Sequence, residues 1–268
     1  MSNFWQRLIT GVIFLVVLIS AIVYSQWTFA ALFSVIDVLA LCEFYRIGRQ
    51  TGYKPIAVYG TVVGLAAFVL SFLASAHIIP VSALALAAFL LIPIFIIVLF
   101  GNYDNPITTI AYTFYGLVYI ALPFALISPI AFHGGYQSIM VLGMFIIIWV
   151  NDTGAYCFGV TIGRHRMFER ISPKKTWEGF IGGALAAVGA ALILARFFPI
   201  LGQTQWIVVA LITVTFGTLG DLAESQLKRT VGIKDSSNIL PGHGGILDRF
   251  DSIILAIPVI FAYLQFIS

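Results

Sequence analysis

Of the 25 charged side chains in this 268-residue chain, 18 lie between Asp152 and Asp251, and the first 150 residues hold only seven. Chemistry that needs charge is therefore to be sought in the second half, where four groups stand out. The first is Asn151-Asp152-Thr153-Gly154-Ala155-Tyr156, deep inside an apolar run. A carboxylate at hydrocarbon depth is costly and normally faces a bundle interior or a wet cavity. Asp152 precedes Arg164 by 12 residues, about 18 Å of helix, too far for so short a side chain to reach the interface. The second group is Gly163-Arg164-His165-Arg166, continued by Ser172-Pro173-Lys174-Lys175-Thr176-Trp177-Glu178-Gly179. Arg164, Arg166 and Arg170 can be read simply as inner-face charges that attract anionic lipid. Lys174 and Lys175 precede a predicted helix start with Thr176 as N-cap, and a helix N-terminus flanked by lysines suits a phosphate.

The third group runs from Gly220 to Arg229. Asp221, Glu224, Ser225 and Lys228 fall at i, i+3, i+4 and i+7, one stripe of a helix. Asp221, two turns or about 10 Å below Lys228, is expected to point inward from just under the membrane surface; simple intrahelical pairing is the plainer alternative. The fourth is Lys234-Asp235 followed by Leu240-Pro241-Gly242-His243-Gly244-Gly245 and then Asp248, Arg249 and Asp251. The glycines permit close backbone approach to a ligand, and acids in the first turn of the following helix suit its dipole. Several carboxylates, few histidines and no paired cysteines favour a hard cation held by oxygen, Mg²⁺ above all. Lysines and arginines beside that cation indicate phosphate, because metals and cationic side chains together stabilise a transferring phosphoryl or nucleotidyl group. The chain has no G-x-x-x-x-G-K-[ST] segment, so this is no P-loop.

The elements that must position these groups are membrane spans. The chain is 60% apolar and 9% charged, with a mean hydropathy of +1.03, against about 25% charged for a soluble domain. That excludes a soluble enzyme, a disulfide scaffold and a disordered tail, and runs of about 17–22 apolar residues exclude a β-barrel. The fold class expected is an all-α polytopic membrane protein of nine spans: Leu8–Tyr24, Trp27–Leu41, Ile56–Ala74, Ile79–Leu99, Ile107–Ile127, Ser138–Val160, Gly179–Phe197, Trp206–Leu222 and Phe250–Phe266. Pro80, Pro93, Pro123 and Pro129 are expected at kinks or span ends, and Cys42 and Cys157 as buried packing residues. The first run resembles a signal peptide, but eight further spans and no small-x-small cleavage site argue that it is retained. With the amino terminus cytoplasmic and the carboxyl terminus on the far side, 13 of the 14 basic residues are cytoplasmic, and only Arg196 is not. The chain reads as a single integral membrane domain, residues 1–137 mainly scaffold and 138–268 carrying the site, which opens at the bilayer edge to soluble and lipid substrates alike. Ser236, in a cytoplasmic loop, is expected to be reachable from that side.

From Ser225 to Asp251, the pattern Ser225-x-Leu227-Lys228-Arg229-x₄-Lys234-Asp235-x₄-Leu240-Pro241-x-His243-Gly244-Gly245-x₂-Asp248-Arg249-x-Asp251 resembles the signature of the phosphatidate cytidylyltransferase (CDP-diacylglycerol synthase) family, with no departure. Ser172-Pro173-Lys174-Lys175-Thr176-x-Glu178-Gly179 is similar to a second segment of that family. The resemblance implies that CTP and phosphatidic acid give CDP-diacylglycerol and pyrophosphate, the phosphatidate oxygen attacking the α-phosphorus. It implies Mg²⁺, with room for a monovalent cation such as K⁺, and Asp221 and Asp248 as principal metal ligands. Asp152, Glu224, Asp235 and Asp251 follow as additional ligands or as groups that orient them. Lys174, Lys175, Lys228, Arg229, Lys234 and Arg249 become clamps for triphosphate or phosphatidate, with Ser172 and Thr176 beside the phosphates. His243, Gly244 and Gly245 would shape the nucleotide pocket. No general base is required, since the phosphatidate oxygen is already anionic. The implied setting is the bacterial inner membrane with a cytoplasm-facing site; the partners are lipid, CTP and phosphatidic acid, with a homodimer admissible and nucleic acid not among them.

Two other classes remain open at this point. A secondary transporter of an anionic solute would gather its charges near the midplane of repeat-related helices, whereas these lie on one side and no internal repeat is evident. Another membrane lipid transferase, or a CTP-dependent lipid kinase, is closer in kind. The Asp-Gly start and trailing acids of the CDP-alcohol phosphotransferases are not found here.

Overall fold

A computed structural model describes residues 3–267. Among the described residues, nine helical stretches are long and apolar enough to cross a membrane, and the chain is an integral membrane protein of the all-α class. In order they are α1 (Asn3–Tyr24), α2 (Gln26–Gln50), α3 (Ala57–Ser75), a fourth stretch built from a 3₁₀ turn (Val81–Leu84), α4 (Ala85–Phe89) and α5 (Ile92–Phe100), and a fifth built from α6 (Pro106–Gly116), a π segment (Leu117–Ala121) and α7 (Leu122–Ala131). Then come α8 (Ser138–Ile162), α9 (Trp177–Phe197), α10 (Gln203–Thr230) and α11 (Leu247–Ile267). The predicted spans are all present, several of them longer by one or two turns at the polar end.

Local chemistry explains the interruptions. α1 and α2 are separated by Ser25 alone, whose hydroxyl accepts from Thr28 N at 3.2 Å while Ser25 N donates to Thr28 Oγ1 at 3.1 Å, a reciprocal cap that restarts the helix in one residue. Pro80 starts the 3₁₀ turn, and the break at Leu90–Leu91 comes just ahead of Pro93. Pro123 has no N–H to give the carbonyl of Tyr119, and the helix widens to π geometry over Leu117–Ala121 immediately before it. Of the four prolines expected at kinks or span ends, Pro80, Pro93 and Pro123 sit at helix starts, and Pro129 lies inside α7. The cysteines do not follow expectation: Cys42 and Cys157 are both exposed on their helices. Apolar surroundings in sequence do not distinguish a lipid-facing position from a core one, because lipid is as apolar as the core.

The chain divides into two compact units, the first running to Tyr136 and resumed by Thr230–Phe250, the second comprising Gln137–Arg229 and the chain from Asp251. In the first unit α2 packs on α1 and α3, and α3 on α7. Tyr45 of α2 is fully buried and donates to Thr113 O at 2.8 Å. Gly60 and Gly116 make room for its ring, since a Cβ at either would come within 2.6 Å of it. Phe250 stacks edge-on with Phe33 and Phe124, with ring centres 6.3 and 5.7 Å away, and so ties the late loop to this core.

In the second unit the tightest pair is α8 with α9. Small residues let the two backbones approach, as membrane helices commonly do: a Cβ on Gly154 would lie 3.2 Å from Gly183 Cα, and one on Gly183 would lie 2.6 Å from Asn151 Oδ1. The connection between them is more ordered than a loop. β1 (Arg166–Phe168) pairs antiparallel with β2 (Ser172–Thr176), with Arg166 opposite Thr176 and Phe168 opposite Ser172. Ser172, Lys174 and Lys175 are therefore strand residues, and Thr176 is at once the last residue of β2 and the N-cap of α9.

Candidate active site

In the second unit, α8, the β2–α9 junction, α10 and α11 surround one pocket. Asn151 and Asp152 reach it from α8, Lys175 and Thr176 from β2, Thr213 and Asp221 from α10 and Ser252 from α11. It is partly open, with about 90 Å³ of room inside, enough for several water-sized groups. Lys175 Nζ is 2.5 Å from Asp221 Oδ2, both side chains about a third exposed or less, and Ser225 Oγ donates to Asp221 Oδ1 at 3.2 Å. The expected stripe on α10 is thus real, and it does two things. Asp221 lines the pocket and Ser225 donates to its carboxylate, while Glu224, fully buried, pairs with buried Lys228 one turn on. That second pair is intrahelical, and the charge of Lys228 also acts on Asp251 of α11.

Asp251 lies beside these groups: Gly220 of α10 sits so near its carbonyl that a Cβ there would collide, and its own Oδ1 accepts from Ser252 N at 2.6 Å. The start of α9 is largely satisfied from within. Thr176 Oγ1 accepts from Gly179 N at 3.1 Å, and Trp177 N donates to His165 O at 3.0 Å. Glu178 accepts from the amides of Arg164 and His165 at 3.1 and 3.2 Å, and its Oε1 stands 2.5 Å from His165 Nδ1. Capping by Thr176 is as read from the sequence; it occupies the Gly179 amide, which a phosphate would otherwise use. Arg164, Arg166, Arg170 and Lys174 are exposed.

The glycine-rich loop belongs to the first unit and is organised by a residue that sequence reasoning passed over, Glu43 of α2. Its carboxylate is 2% exposed and accepts four donors: Ser237 Oγ at 2.5 Å and Ile246 N at 3.1 Å on Oε1, Ser236 Oγ at 2.9 Å and Leu247 N at 2.8 Å on Oε2. Asp248 Oδ2 takes Ser236 N at 2.8 Å, Gly245 N at 2.7 Å and Ser236 Oγ at 2.9 Å. Arg46 donates to Ser236 O at 2.5 Å. The glycines answer to this packing: at Gly245 a Cβ would run into Ser236 Oγ and the Glu43 carboxylate, and Gly244, at φ +82°, faces Asp248 Oδ2. The close approach expected of them is to these carboxylates.

His243 sits with its ring against α1, where a Cβ on Gly11 would be 3.1 Å from Nε2. Partial burial, then the charges of Arg249 and Arg7, hold its imidazole below the ordinary value of 6.5. Lys234, Asp235 and Arg249 are exposed, as is Arg229 at the end of α10. Ser236 is 3% exposed, so it is not the reachable loop position expected. The sequence signal for Glu43 was available: it is one of only two acids in the apolar run of α2, the other being the fully buried Asp37, and intramembrane acids are functional candidates by default.

Among the described residues, no group of three or more His, Cys, Asp or Glu side chains is gathered as a ready-made metal cage. Mg²⁺ does not require one, being commonly held through one or two carboxylates with water and substrate phosphates. Asp152 and Asp221, on two helices of one pocket, are a fitting donor set of that kind.

The whole chain matches known sequences. The model of the Cytidylyltransferase family covers residues 5–267. The chain is 32% identical to a phosphatidate cytidylyltransferase of Bacillus subtilis over the full length of both. It is 48% identical to the enzyme of that name from Staphylococcus epidermidis and 49% identical to that from Staphylococcus aureus, over 122 residues that make 45% of this chain and 46% of each relative. The matched stretch thus spans about half the length of the staphylococcal proteins.

Proposed function

The chain belongs to the Cytidylyltransferase family, and we propose that it transfers the cytidylyl group of CTP to phosphatidic acid, forming CDP-diacylglycerol and pyrophosphate. The observation that carries this reading is the pocket in which Asp152 and Asp221, from separate helices, meet Lys175 from the hairpin. Two carboxylates and an ammonium suit a metal-bound polyphosphate better than a neutral solute. The names and full-length likeness of the relatives supply the substrates.

In this reading Asp152 and Asp221 would hold Mg²⁺, while a part for Asp248 in the chemistry rests on the family pattern alone. A bound Mg²⁺ would supply neutralisation of charge on the phosphates. Lys175, paired with Asp221 here, would place its ammonium beside a phosphate oxygen, and Asp221 would be the carboxylate available to the metal. Thr176 and Ser252 offer hydroxyls at the pocket wall, and the exposed Lys174, Arg229, Lys234 and Arg249 attract the anionic substrates from the aqueous side. The phosphatidate oxygen, anionic at neutral pH, attacks without a general base from the chain. The distribution of basic residues supports a cytoplasmic amino terminus and a site on the inner leaflet, in bacteria the inner membrane.

Purified protein given CTP, Mg²⁺ and phosphatidic acid should release pyrophosphate, and omission of any one should stop it. Turnover without lipid, or transport of an anion without CTP consumption, would sink the proposal.

A further inference from the structure

We infer that Glu43 is a positioning residue: its buried carboxylate fixes the loop that carries His243, Gly244 and Gly245 and leads into Asp248 at the start of α11. This rests on the reading that Asp248 serves cytidylyl transfer. α2 and the loop are 193 or more residues apart in sequence at every one of these contacts. The four donors of Glu43 come from both ends of the loop, Ser236 and Ser237 at its entry and the Ile246 and Leu247 amides at its exit. One side chain therefore closes the loop on itself. The exit amides open α11, so the carboxylate also sits at the positive end of that helix, one residue before Asp248.

The link to Asp248 is a shared hydroxyl. Ser236 Oγ is 2.9 Å from Glu43 Oε2 and 2.9 Å from Asp248 Oδ2, and has one proton for both. Movement of Glu43 would alter where that proton points and how many donors hold Asp248 Oδ2. Gly245 leaves no room for a side chain between them, so slack cannot be taken up by repacking. A carboxylate is required, because an amide presents acceptors on one side only and its NH₂ would confront two of the four donors.

Full-length Glu43→Gln, in detergent with wild type as control, tests this by two readouts. Without nucleotide or metal, amide hydrogen exchange in the peptide spanning Ile246 and Leu247 should accelerate at least tenfold, with exchange in α8 and α9 unchanged. In the pyrophosphate assay the Mg²⁺ concentration for half-maximal rate should rise at least fivefold and kcat fall at least tenfold, with Glu43→Asp recovering part of both. A role confined to folding would lower the active fraction without moving the Mg²⁺ requirement. Wild-type exchange in that peptide, or a Mg²⁺ requirement within twofold of wild type, overturns the inference. Should Glu43→Gln fail to fold, Ser237→Ala, which removes one donor, should accelerate exchange at least threefold; no change overturns it equally. Failure of wild type itself to turn over would count against the proposed function, while the exchange result would still decide whether Glu43 holds the loop.

Discussion

Lys175 Nζ and Asp221 Oδ2 stand 2.5 Å apart at the wall of a pocket that Asp152 also lines. A partly exposed ion pair of this kind contributes little to stability, typically 0–1 kcal/mol. Its value is as a charge arrangement that a metal and a phosphate can take over. Asp221→Asn should therefore reduce Mg²⁺-dependent pyrophosphate release by at least 100-fold with little change in thermal midpoint. Lys175→Ala should chiefly raise the CTP or phosphatidate concentration required. Steady-state kinetics beside a detergent-stability assay checks both; an active Asp221→Asn removes this carboxylate from the chemistry.

The other ion pair on α10 predicts the opposite pattern. Glu224 is fully buried and Lys228 nearly so, and removing one partner of a buried pair costs about 3–5 kcal/mol because it strands the other charge. Glu224→Ala should lower unfolding stability by that order. Glu224→Leu combined with Lys228→Met should recover part of the loss, the remainder reflecting the charge of Lys228 that also acts on Asp251. Denaturant titration of the singles and the double in detergent gives the comparison. A Glu224→Ala protein as stable as wild type would mean the pair is hydrated in the folded molecule.

Much of this was legible in the sequence, for reasons that differ from residue to residue. The nine spans follow from length and apolarity alone, and Asp152 follows from the cost of an acid at that depth. The stripe Asp221–Lys228 follows from helical periodicity, but which member turns to the pocket does not, because i and i+3 differ by 60° of rotation and the neighbouring helices decide between them. The β1–β2 hairpin escaped notice because its strands are three and five residues long and rich in charge, with no alternation to read. Glu43 could be suspected as one of two buried acids in α2, yet its four donors are backbone amides and serines, which carry no pairing signal across 193 residues.

Orientation can be decided by labelling, with a change of position from the obvious one. Ser236 is bound by carboxylates inside the loop, whereas Asn238, two residues on, is exposed. In a background lacking the exposed Cys42 and Cys157, Asn238→Cys should react with a membrane-impermeant maleimide only from the cytoplasmic side. Gly202→Cys, exposed between α9 and α10, should react only from the other. Reversed labelling would turn the positive-inside assignment over.

The pH response of the glycine-rich loop has a determined sign. Burial first, and then Arg249 and Arg7, disfavour the imidazolium form of His243, so its folded-state value lies below the ordinary 6.5. Between the folded and unfolded values the unfolded chain binds more protons, and stability there rises with pH. The contribution is complete above about pH 6.5 and is progressively lost as the pH falls from there toward the depressed folded value. Acidification from pH 7.5 to below 6 should therefore lower the thermal midpoint and speed amide exchange at Gly244–Ile246. His243→Gln, neutral throughout, should show a smaller drop over the same interval. Equal drops in wild type and variant would mean that the acid sensitivity arises at some other group, and that the contact of His243 with Gly11 survives protonation.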